Sequence, residues 1–275
     1  MASSDRMVPR LLSRIAAMGI RDTERFWSLM PADIAKRCRA QTAHIADSFA
    51  TFMPTSDALR MNRVLGLGHQ RDVEPSTIDT LIQRYRAARV KRFCVMVGPG
   101  PRAAGLVRRL AARGFVRRPG LALLVRDGRK PVSRMTGALR VVRESRALHR
   151  DALEILHESF PTPASRLAWP IAARTSGGGE NFIALDGARP VAVASLRVDG
   201  DLAWLGGAAT RTFWRRRGAQ SALIAQRLRR AARLGCRWTW CETAEPTPGR
   251  PDISRRNLLR HGFEQVGVSL QYVWP

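Results

Sequence analysis

Three consecutive arginines followed by a glycine, Arg215 to Gly218, form a turn that could hold an anion. An apolar run typical of a strand precedes them, and helical spacing begins directly after the glycine. The first N–H groups of such a helix have no partners inside it and point into the turn. Gly218 lets the backbone approach closely, the arginines add charge, and Ser221 could add a hydroxyl. The chemistry predicted for this segment is the binding of a phosphate group.

Hydrophobic spacing predicts the elements around this turn. The helix behind it has one apolar face and one face that can meet water. Ahead of it, three apolar runs separated by Asp-Gly pairs predict an antiparallel meander with hairpin turns. A strand after the helix must return beside the last of these runs by a right-handed crossover. The apolar helix positions are Ala222, Leu223, Ala225, Leu228 and Ala232, the water-facing arginines are Arg227, Arg229, Arg230 and Arg233, and the strands are 182–185, 191–198, 202–209 and 236–243.

The pattern Arg215-x-x-Gly218-x-Gln220, at the head of an amphipathic helix, resembles the acetyl-CoA signature of the GNAT N-acetyltransferase family. Members of that family usually carry Gly or Ala where this chain has Gln220. The elements that follow are similar in order: a strand, a Ser-x-x-Asn motif that ends at Asn257, and a Gly-Phe pair before a final strand. The resemblance covers residues 138–275 directly.

This resemblance implies acetyl-CoA as the acyl donor. Backbone amides around Gly218 would hold its pyrophosphate, and the strand before the turn would pair with its pantetheine like an added strand. In the family the strands on either side of the helix splay apart, and the acyl-pantetheine enters the gap. Asn257 would touch the cofactor arm, or else it satisfies backbone groups at its own helix start. The residues assigned to acetyl-CoA are Ala208, Ala209, Thr210, Arg215, Arg216, Arg217, Gly218, Ala219, Gln220, Ser221 and Asn257.

Acetyl transfer to an amine also needs a hydrogen bond to the carbonyl oxygen and removal of a proton from the ammonium group. Many family members use a tyrosine in the last helix, and the segment 257–261 has none. Glu242 is the first candidate base, with an ordinary exposed strand-end carboxylate as the alternative. Tyr272 is the second catalytic candidate, and a packing role in the final strand is its alternative. His261 could titrate near neutral pH or act as a cation at a helix C-terminus.

The family's range implies a small amine or amino-acid-like acceptor that takes the acetyl group by direct transfer. Trp204 and Trp240 could line its pocket, or they pack within the sheet. The segment 160–169 lies where family members often recognise the acceptor. Because the usual tyrosine is absent, a CoA-binding protein without catalysis is an open alternative.

The N-terminal half repeats one feature of the C-terminal half. LVRRLAARGF at 106–115 has the same shape as ISRRNLLRHGF at 253–263: a short basic helix that ends in Gly-Phe before a strand. The sequence therefore predicts two tandem GNAT-like domains of the α/β (α+β) class, 1–130 and 131–275, each a mixed, mostly antiparallel sheet flanked by helices. Between Leu65 and Leu81, ahead of the helix at 75–88, the N-terminal domain has no Arg-x-x-Gly turn, so we expect it not to bind CoA.

Local patterns divide this N-terminal half further. Residues 8–53 are predicted to form two helices that Pro31 separates, and residues 57–67 a strand. Residues 75–88 predict a helix with Ser76 or Thr77 as its cap. A buried strand at 92–97, a basic helix at 101–113 and a strand at 121–126 follow, and 128–137 is the best linker by composition.

Composition and charge indicate which other classes of protein the sequence could belong to. The chain has 275 residues and a formal net charge of +25, and all but Lys36, Lys91 and Lys130 of its basic residues are arginine. A nucleic-acid-binding protein is therefore an alternative, disfavoured because the arginines are scattered and no nucleic-acid-binding motif is present. The four cysteines lack metal-site spacing, and no apolar run is long enough for a membrane span. We expect a cytoplasmic protein with no bound metal, and leave a homodimer open.

Overall fold

The computed structural model describes residues 2–132, 138–161, 169, 178–249 and 252–275. The helices are α1 (Ala2–Ser28), α2 (Ala32–Cys38), α3 (Pro75–Ala87), α4 (Ala103–Ala111), α5 (His149–Ser159), α6 (Ala219–Arg233) and α7 (Ile253–Arg260). The strands are β1 (Gln41–Ile45), β2 (Ser48–Phe52), β3 (Arg63–Leu65), β4 (Phe93–Val97), β5 (Val116–Asp127), β6 (Arg140–Arg143), β7 (Glu180–Asp186), β8 (Arg189–Asp199), β9 (Leu202–Thr210), β10 (Trp238–Ala244) and β11 (Glu264–Trp274). None of the helices among these residues is long and apolar enough to cross a membrane.

The chain forms two compact units. Unit 1 comprises Met1–Ala122, Ala244–Thr247 and Gly267–Pro275, and unit 2 comprises Leu123–Thr243 and Pro248–Val266. Strands β5 and β11 each contribute residues to both units. Part of the linker expected from composition, residues 133–137, lies outside the described residues.

Unit 1 is built on strands in the order β1-β2-β3-β4-β11. Only β3 and β4 are parallel among the pairs of this series, and α3 connects them. The core beside these strands is aromatic: the rings of Tyr85 and Phe93 are stacked with centroids 3.8 Å apart, and Phe115 meets Phe93 edge-on. The Tyr85 hydroxyl donates a hydrogen bond to the Thr51 carbonyl oxygen at 3.0 Å. The predicted mixed, mostly antiparallel sheet with flanking helices is confirmed.

The predicted second helix up to Met53 is wrong beyond Cys38. Arg39 takes a left-handed conformation, φ 48°, that ends α2, and the hairpin β1–β2 follows. The expectation failed because Ile45 and Phe49 also fit helical spacing, whereas the hairpin turns at Ala46, φ 54°, and buries all of β2. The strand expected at 57–67 is the short β3, preceded by a 3-10 turn at Leu59–Met61.

The loop between β3 and α3 differs from a phosphate turn in its charge. Glu74, rather than Ser76 or Thr77, is the N-cap of α3, because Pro75 occupies the first helical position, where its missing N–H costs nothing. The backbone amides of Gly68 and Gln70 donate hydrogen bonds to the Asp47 carboxylate at 3.3 and 3.0 Å. A carboxylate of the chain itself thus occupies the loop amides of unit 1.

Unit 2 contains strands in the order β10-β9-β8-β7-β6, all antiparallel except the pair β9 and β10. The hairpins β7–β8 and β8–β9 turn at Gly187 and Gly200 with φ of 56° and 59°, as the Asp-Gly pairs predict. The parallel pair is joined through α6, so the predicted crossover connection is confirmed, and its right-handed sense stays a prediction.

Helices α5 and α6 both pack against β8 and β9. Ala152 and Ile155 of α5 form a core cluster with Ile183 of β7, Val193 of β8 and Ala209 of β9. Because side chains alternate along a strand, the buried residues between these positions point to the other face, which α6 covers. The two sides of this sheet are called below the α5 face and the α6 face.

Candidate functional site

The turn before α6 has the geometry that an anion site needs. Gly218 is the N-cap of α6 in a left-handed conformation, φ 81°, with no side chain capping the helix. The first bond that closes the helix runs from the Ala222 N–H to the Gly218 oxygen at 2.9 Å. The amides of Ala219, Gln220 and Ser221 precede this bond, so they have no acceptor within the helix. The three arginines of the turn are exposed beside these amides, and the site is therefore positive and open.

An aromatic side chain supports one of these arginines. The guanidinium of Arg217 lies over the Trp214 ring, 4.9 Å from its centroid, and that of Arg189 lies at 6.0 Å. Arg216 takes φ 64°, a conformation uncommon outside glycine, so the turn is tightly bent at this residue. Phe213 is 89% exposed in the same segment.

The last helix contacts the turn through Asn257. Its side-chain amide donates a hydrogen bond to Gln220 Oε1 at 2.7 Å. Gln220 stands where the resemblance expects Gly or Ala, and here its side chain links α6 to α7. The structure thus brings Asn257 together with the predicted phosphate turn, and its contact with the cofactor arm stays a prediction.

Strands β9 and β10 separate beside the turn. They pair in parallel only at Leu202–Trp238, Ala203–Thr239 and Trp204–Trp240. Both strands continue beyond this point, β9 to Thr210 and β10 to Ala244, without further pairs between them. The splay implied by the resemblance is present, so the later residues of β9 have one backbone edge open to a ligand.

A β-bulge interrupts β9 within this open stretch. Ser195 of β8 pairs with Gly206, whereas Val193 pairs with Ala209, so β9 carries one extra residue between them. Gly207 has φ 56°, and both Gly207 and Ala208 are exposed. The bulge frees backbone groups from the ladder at the edge where an acyl carbonyl would lie, and these can serve as donors to its oxygen.

Arg227 of α6 lies beneath this bulge. Its Nη1 donates hydrogen bonds to the carbonyl oxygens of Ser195 at 3.0 Å and Gly206 at 3.3 Å, and its Nε donates to Leu223 O. The predicted water-facing position of Arg227 is wrong: its side chain is buried, and burial lowers its pKa to about 10. Ala232, expected on the apolar face, is exposed. Arg227 therefore fixes the two carbonyls that flank the bulge.

Two tryptophans mark the point where the strands separate. The rings of Trp204 and Trp240 have centroids 6.2 Å apart. The Trp204 ring covers Gly206 so closely that a Cβ on this glycine would lie 1.9 Å from it. Trp240 is buried and Trp204 partly exposed, so Trp204 is the one that can contact a ligand.

The predicted catalytic side chains lie in different units. Glu242 is exposed on β10, past its last pair with β9, and thus on the splayed strand of unit 2. Tyr272 belongs to unit 1, where it pairs with Val95 and is buried in the core cluster. Burial, with Arg126 and Arg229 nearby, lowers the pKa of His261, which favours its neutral form. The roles of Glu242 and Tyr272 stay predictions.

Sequence reasoning missed a polar group on the α5 face. Glu144 and His149 form a pair with Oε1 and Nδ1 2.6 Å apart, and Ser195 Oγ donates to Asn181 Oδ1 at 2.8 Å. The Glu144 N–H in turn donates to the Asn181 carbonyl oxygen. No motif spacing connects these residues, because only the pairing of β6, β7 and β8 brings them together.

A glycine-headed helix with open amides, beside parallel strands that separate around a bulge, is an arrangement that could hold a phosphate-bearing acyl donor. Residues 146–263 match the family described as the acetyltransferase (GNAT) family. The match to this family is located in residues 146–263, which include α5, α6 and α7. No curated protein matches the chain.

Solved structures with a similar fold cover both halves of the chain. A GCN5-related N-acetyltransferase from Kribbella flavida is 16% identical with a TM-score of 0.64, over 96% of this chain and 95% of that one. A tandem GNAT protein from the clavulanic acid biosynthesis pathway is 14% identical with a TM-score of 0.60, over 82% and 78%. A GCN5-related N-acetyltransferase from Sphaerobacter thermophilus is 14% identical with a TM-score of 0.58, over 82% and 79%. The similarity to these proteins concerns the fold.

Proposed function

We propose that unit 2 transfers an acetyl group from acetyl-CoA directly to the nitrogen of a small amine or amino-acid-like acceptor. The observation that carries this proposal is the uncapped start of α6 next to the splayed β9 and β10. The helix amides and arginines would hold the pyrophosphate, and the open edge at Ala208 to Thr210 would pair with the pantetheine arm. The thioester would then lie against the bulge.

The chain's own residues fit such a donor at each point. Three amides and three arginines offer positive charge to the phosphates, and the bulge offers N–H groups to the thioester oxygen. Burial raises the pKa of the Cys241 thiol to about 12, so this cysteine of β10 stays protonated and does not act as a nucleophile. This supports direct transfer to the amine without an acyl-cysteine.

Calorimetric titration with acetyl-CoA tests the donor site. We expect native protein to bind at micromolar levels, roughly −8 kcal/mol. Gly218→Pro removes one N–H and the left-handed conformation that starts α6, so this variant should lose binding. Gly200→Pro is the matched control, because it places the same change at a left-handed glycine in the β8–β9 hairpin.

The outcomes separate the competing functions. Loss of binding in Gly218→Pro alone, with both variants folded by circular dichroism, supports the donor site. Absence of binding in the native protein would overturn it and leave a basic loop to be tested against nucleic acid. Binding without turnover of any primary amine would identify a CoA-binding protein without catalysis.

Unit 1 should not bind a second donor. Asp47 occupies its loop amides, and Glu74 and Pro75 begin α3 where unit 2 has an uncapped glycine. We therefore expect the same titration to give one acetyl-CoA per chain, and a stoichiometry of two would contradict this assignment.

We also propose that the protein acts in the cytoplasm. Its cysteines are buried free thiols at positions 38, 94, 236 and 241, which suits a reducing compartment.

A further inference from the structure

A buried carboxylate and a histidine form a dyad near the start of α5. Glu144 follows β6, and its side chain is only 3% exposed. It contacts His149 Nδ1 at 2.6 Å, which assigns the proton to Nδ1 in the neutral ring. His149 Nε2 is then an acceptor, and it is buried with no hydrogen-bond partner among the described residues. A buried acceptor left without a donor is costly, so this atom calls for a donor from outside the described chain.

The dyad and the bulge in β9 lie at the two ends of one row of neighbouring residues that crosses from the end of β6 to β9. Glu144 N–H bonds to Asn181, Asn181 pairs with Ser195, and Ser195 pairs with Gly206. Side chains directly opposite one another project from the same face, so Asn181 and Ser195 share the α5 face. Three strand spacings of about 4.8 Å separate the ends of this row, on the order of 14 Å.

An acceptor must reach the bulge from the α5 face. On the α6 face, Arg227 already fills the space beneath Ser195 and Gly206. On the α5 face, Trp204 covers Gly206, and a Cβ on Gly207 would lie 2.9 Å from Ser195 Oγ. An aromatic ring, a hydroxyl and an amide therefore line the row from the bulge to the dyad.

We propose that the Glu144–His149 dyad binds a second, cationic donor group of an elongated amine acceptor. The reacting amine lies at the bulge, and the distal ammonium group donates a hydrogen bond to His149 Nε2. The Glu144 carboxylate supplies the negative charge that attracts this cation in a chain of net charge +25. The substrate class is thus an α,ω-diamine or a similar molecule with two separated donor groups. This inference rests on the proposed acetyl transfer and specifies its acceptor.

The reaction on such an acceptor is balanced without any group beyond acetyl-CoA. The reacting ammonium loses a proton to solvent, and the free amine forms a C–N bond with the thioester carbonyl carbon. The C–S bond breaks, and the thiolate of CoA takes up a second proton from the nitrogen. The distal ammonium stays protonated throughout, because the dyad binds it as a cation.

Kinetics with two matched series of probes test the proposal. The probes are α,ω-diaminoalkanes and n-alkylamines from butyl to dodecyl. We expect the native enzyme to favour one range of long diamines over monoamines of equal length by at least tenfold in kcat/KM, as a hydrogen bond to a charged group would give. Glu144→Gln and His149→Gln should remove this preference, because kcat/KM for the long diamines should fall at least tenfold more than kcat/KM for the monoamines.

His157→Gln is the control, because it makes the same change on an exposed face of the same helix. It should keep the diamine preference. Equal losses for diamines and monoamines in Glu144→Gln and His149→Gln, with a lowered melting temperature, would show that the dyad only braces the β6–α5 connection and would overturn the proposal. A native enzyme that acetylates monoamines and diamines equally would overturn it as well, while the proposed acetyl transfer stands.

A second readout does not need turnover. In protein labelled with 15N-histidine and free of acetyl-CoA, the His149 imidazole should show the proton on Nδ1. Addition of the favoured diamine should shift the Nε2 resonance, and the monoamine of equal length should not. An Nε2–H tautomer would overturn the assignment. If native protein binds no acetyl-CoA, the proposed function fails independently of this spectrum.

Discussion

Asn257 and Gln220 join the last helix of unit 2 to the first turn of α6 by one side-chain hydrogen bond of 2.7 Å. The resemblance to the family assigns a role to both positions: Asn257 would touch the cofactor arm, and Gln220 belongs to the turn before α6. The bond explains how a long side chain fits a position usually held by Gly or Ala, because Gln220 is directed toward α7 instead of the turn.

This bond predicts an energetic coupling between the two helices. Asn257→Ala and Gln220→Ala should each destabilise the protein, and the double variant should lose less than their sum by about 1 kcal/mol. Urea unfolding of the four proteins measures the coupling. Additive losses would mean that the bond contributes nothing. Acetyl-CoA affinity should fall in Asn257→Ala if the residue also touches the donor.

Arg227 should matter more for turnover than for donor binding. Replacement by Met leaves the carbonyls of Ser195 and Gly206 without their donor, so the bulge can shift away from the thioester oxygen. Since loss of one oxyanion donor costs about 100-fold to 1,000-fold in kcat, we expect Arg227→Met to lose roughly tenfold to 100-fold. The Kd for acetyl-CoA should stay within about twofold of the native value, because the phosphate turn is untouched.

Arg233→Met provides the control for this experiment, since Arg233 is exposed on the same helix. It should behave as the native enzyme does. A loss of acetyl-CoA affinity in Arg227→Met that matches its loss of kcat would show a general disruption of α6 rather than a role at the bulge.

A methyl group at Gly206 should displace the Trp204 ring. The added Cβ would lie within 2.0 Å of two ring atoms, so Gly206→Ala should cost about 1–3 kcal/mol of stability by overpacking. We expect KM for the acceptor to rise while acetyl-CoA affinity is kept. The double variant Trp204→Ala/Gly206→Ala should recover the stability lost by Gly206→Ala, as thermal unfolding can measure. If the double variant does not recover this stability, the cost of Gly206→Ala does not come from a clash with the Trp204 ring.

Acid should weaken the contact between α5 and the segment after β9. The Thr212 side chain and backbone amide lower the pKa of Glu158 from its ordinary value of 4.5, and Arg211 assists. Since the folded pKa lies below the unfolded one, the stabilisation is complete above about pH 4.5 and is lost as the pH falls through the folded pKa. Glu158→Gln should flatten the decline of stability below pH 4.5, measured by urea unfolding at stepped pH.

Glu154→Gln should leave the decline of stability below pH 4.5 unchanged. Glu154 lies on the same helix and also contacts Arg211, at 3.3 Å, but its side chain is 55% exposed. An equal flattening in both variants would attribute the effect to Arg211 rather than to Thr212.

The sequence predicted unit 2 well because its signals are local. Asp-Gly pairs define two hairpins, and Gly218 defines the start of α6. The burial of Arg227 could not be predicted from such local signals. A charged residue at a helical position is normally assigned to water, and its partners here are carbonyls that only the bulge in β9 exposes.

The remaining misses depend on tertiary pairing. Ile45 and Phe49 fit helical spacing, but α2 ends at the left-handed Arg39 and residues 41–52 form the hairpin β1–β2 instead. Glu144 and His149 meet because the chain reverses between β6 and α5, a path that no spacing rule predicts. The sequence also does not predict that Tyr272 belongs to unit 1, because this follows from the pairing of β11 with β4.

That pairing has a consequence for synthesis on the ribosome. Unit 1 includes Gly267–Pro275, and Leu270 to Trp274 pair with β4. About 150 residues separate Ala122 from Gly267, where this last segment begins. Because the ribosome adds about 5–20 residues per second, the last strand of unit 1 is completed on the order of 10 s after its first part. During that interval the edge of β4 is exposed to other nascent chains. Chaperones should therefore bind the N-terminal part of unit 1 most strongly during this interval, before β11 has been synthesised.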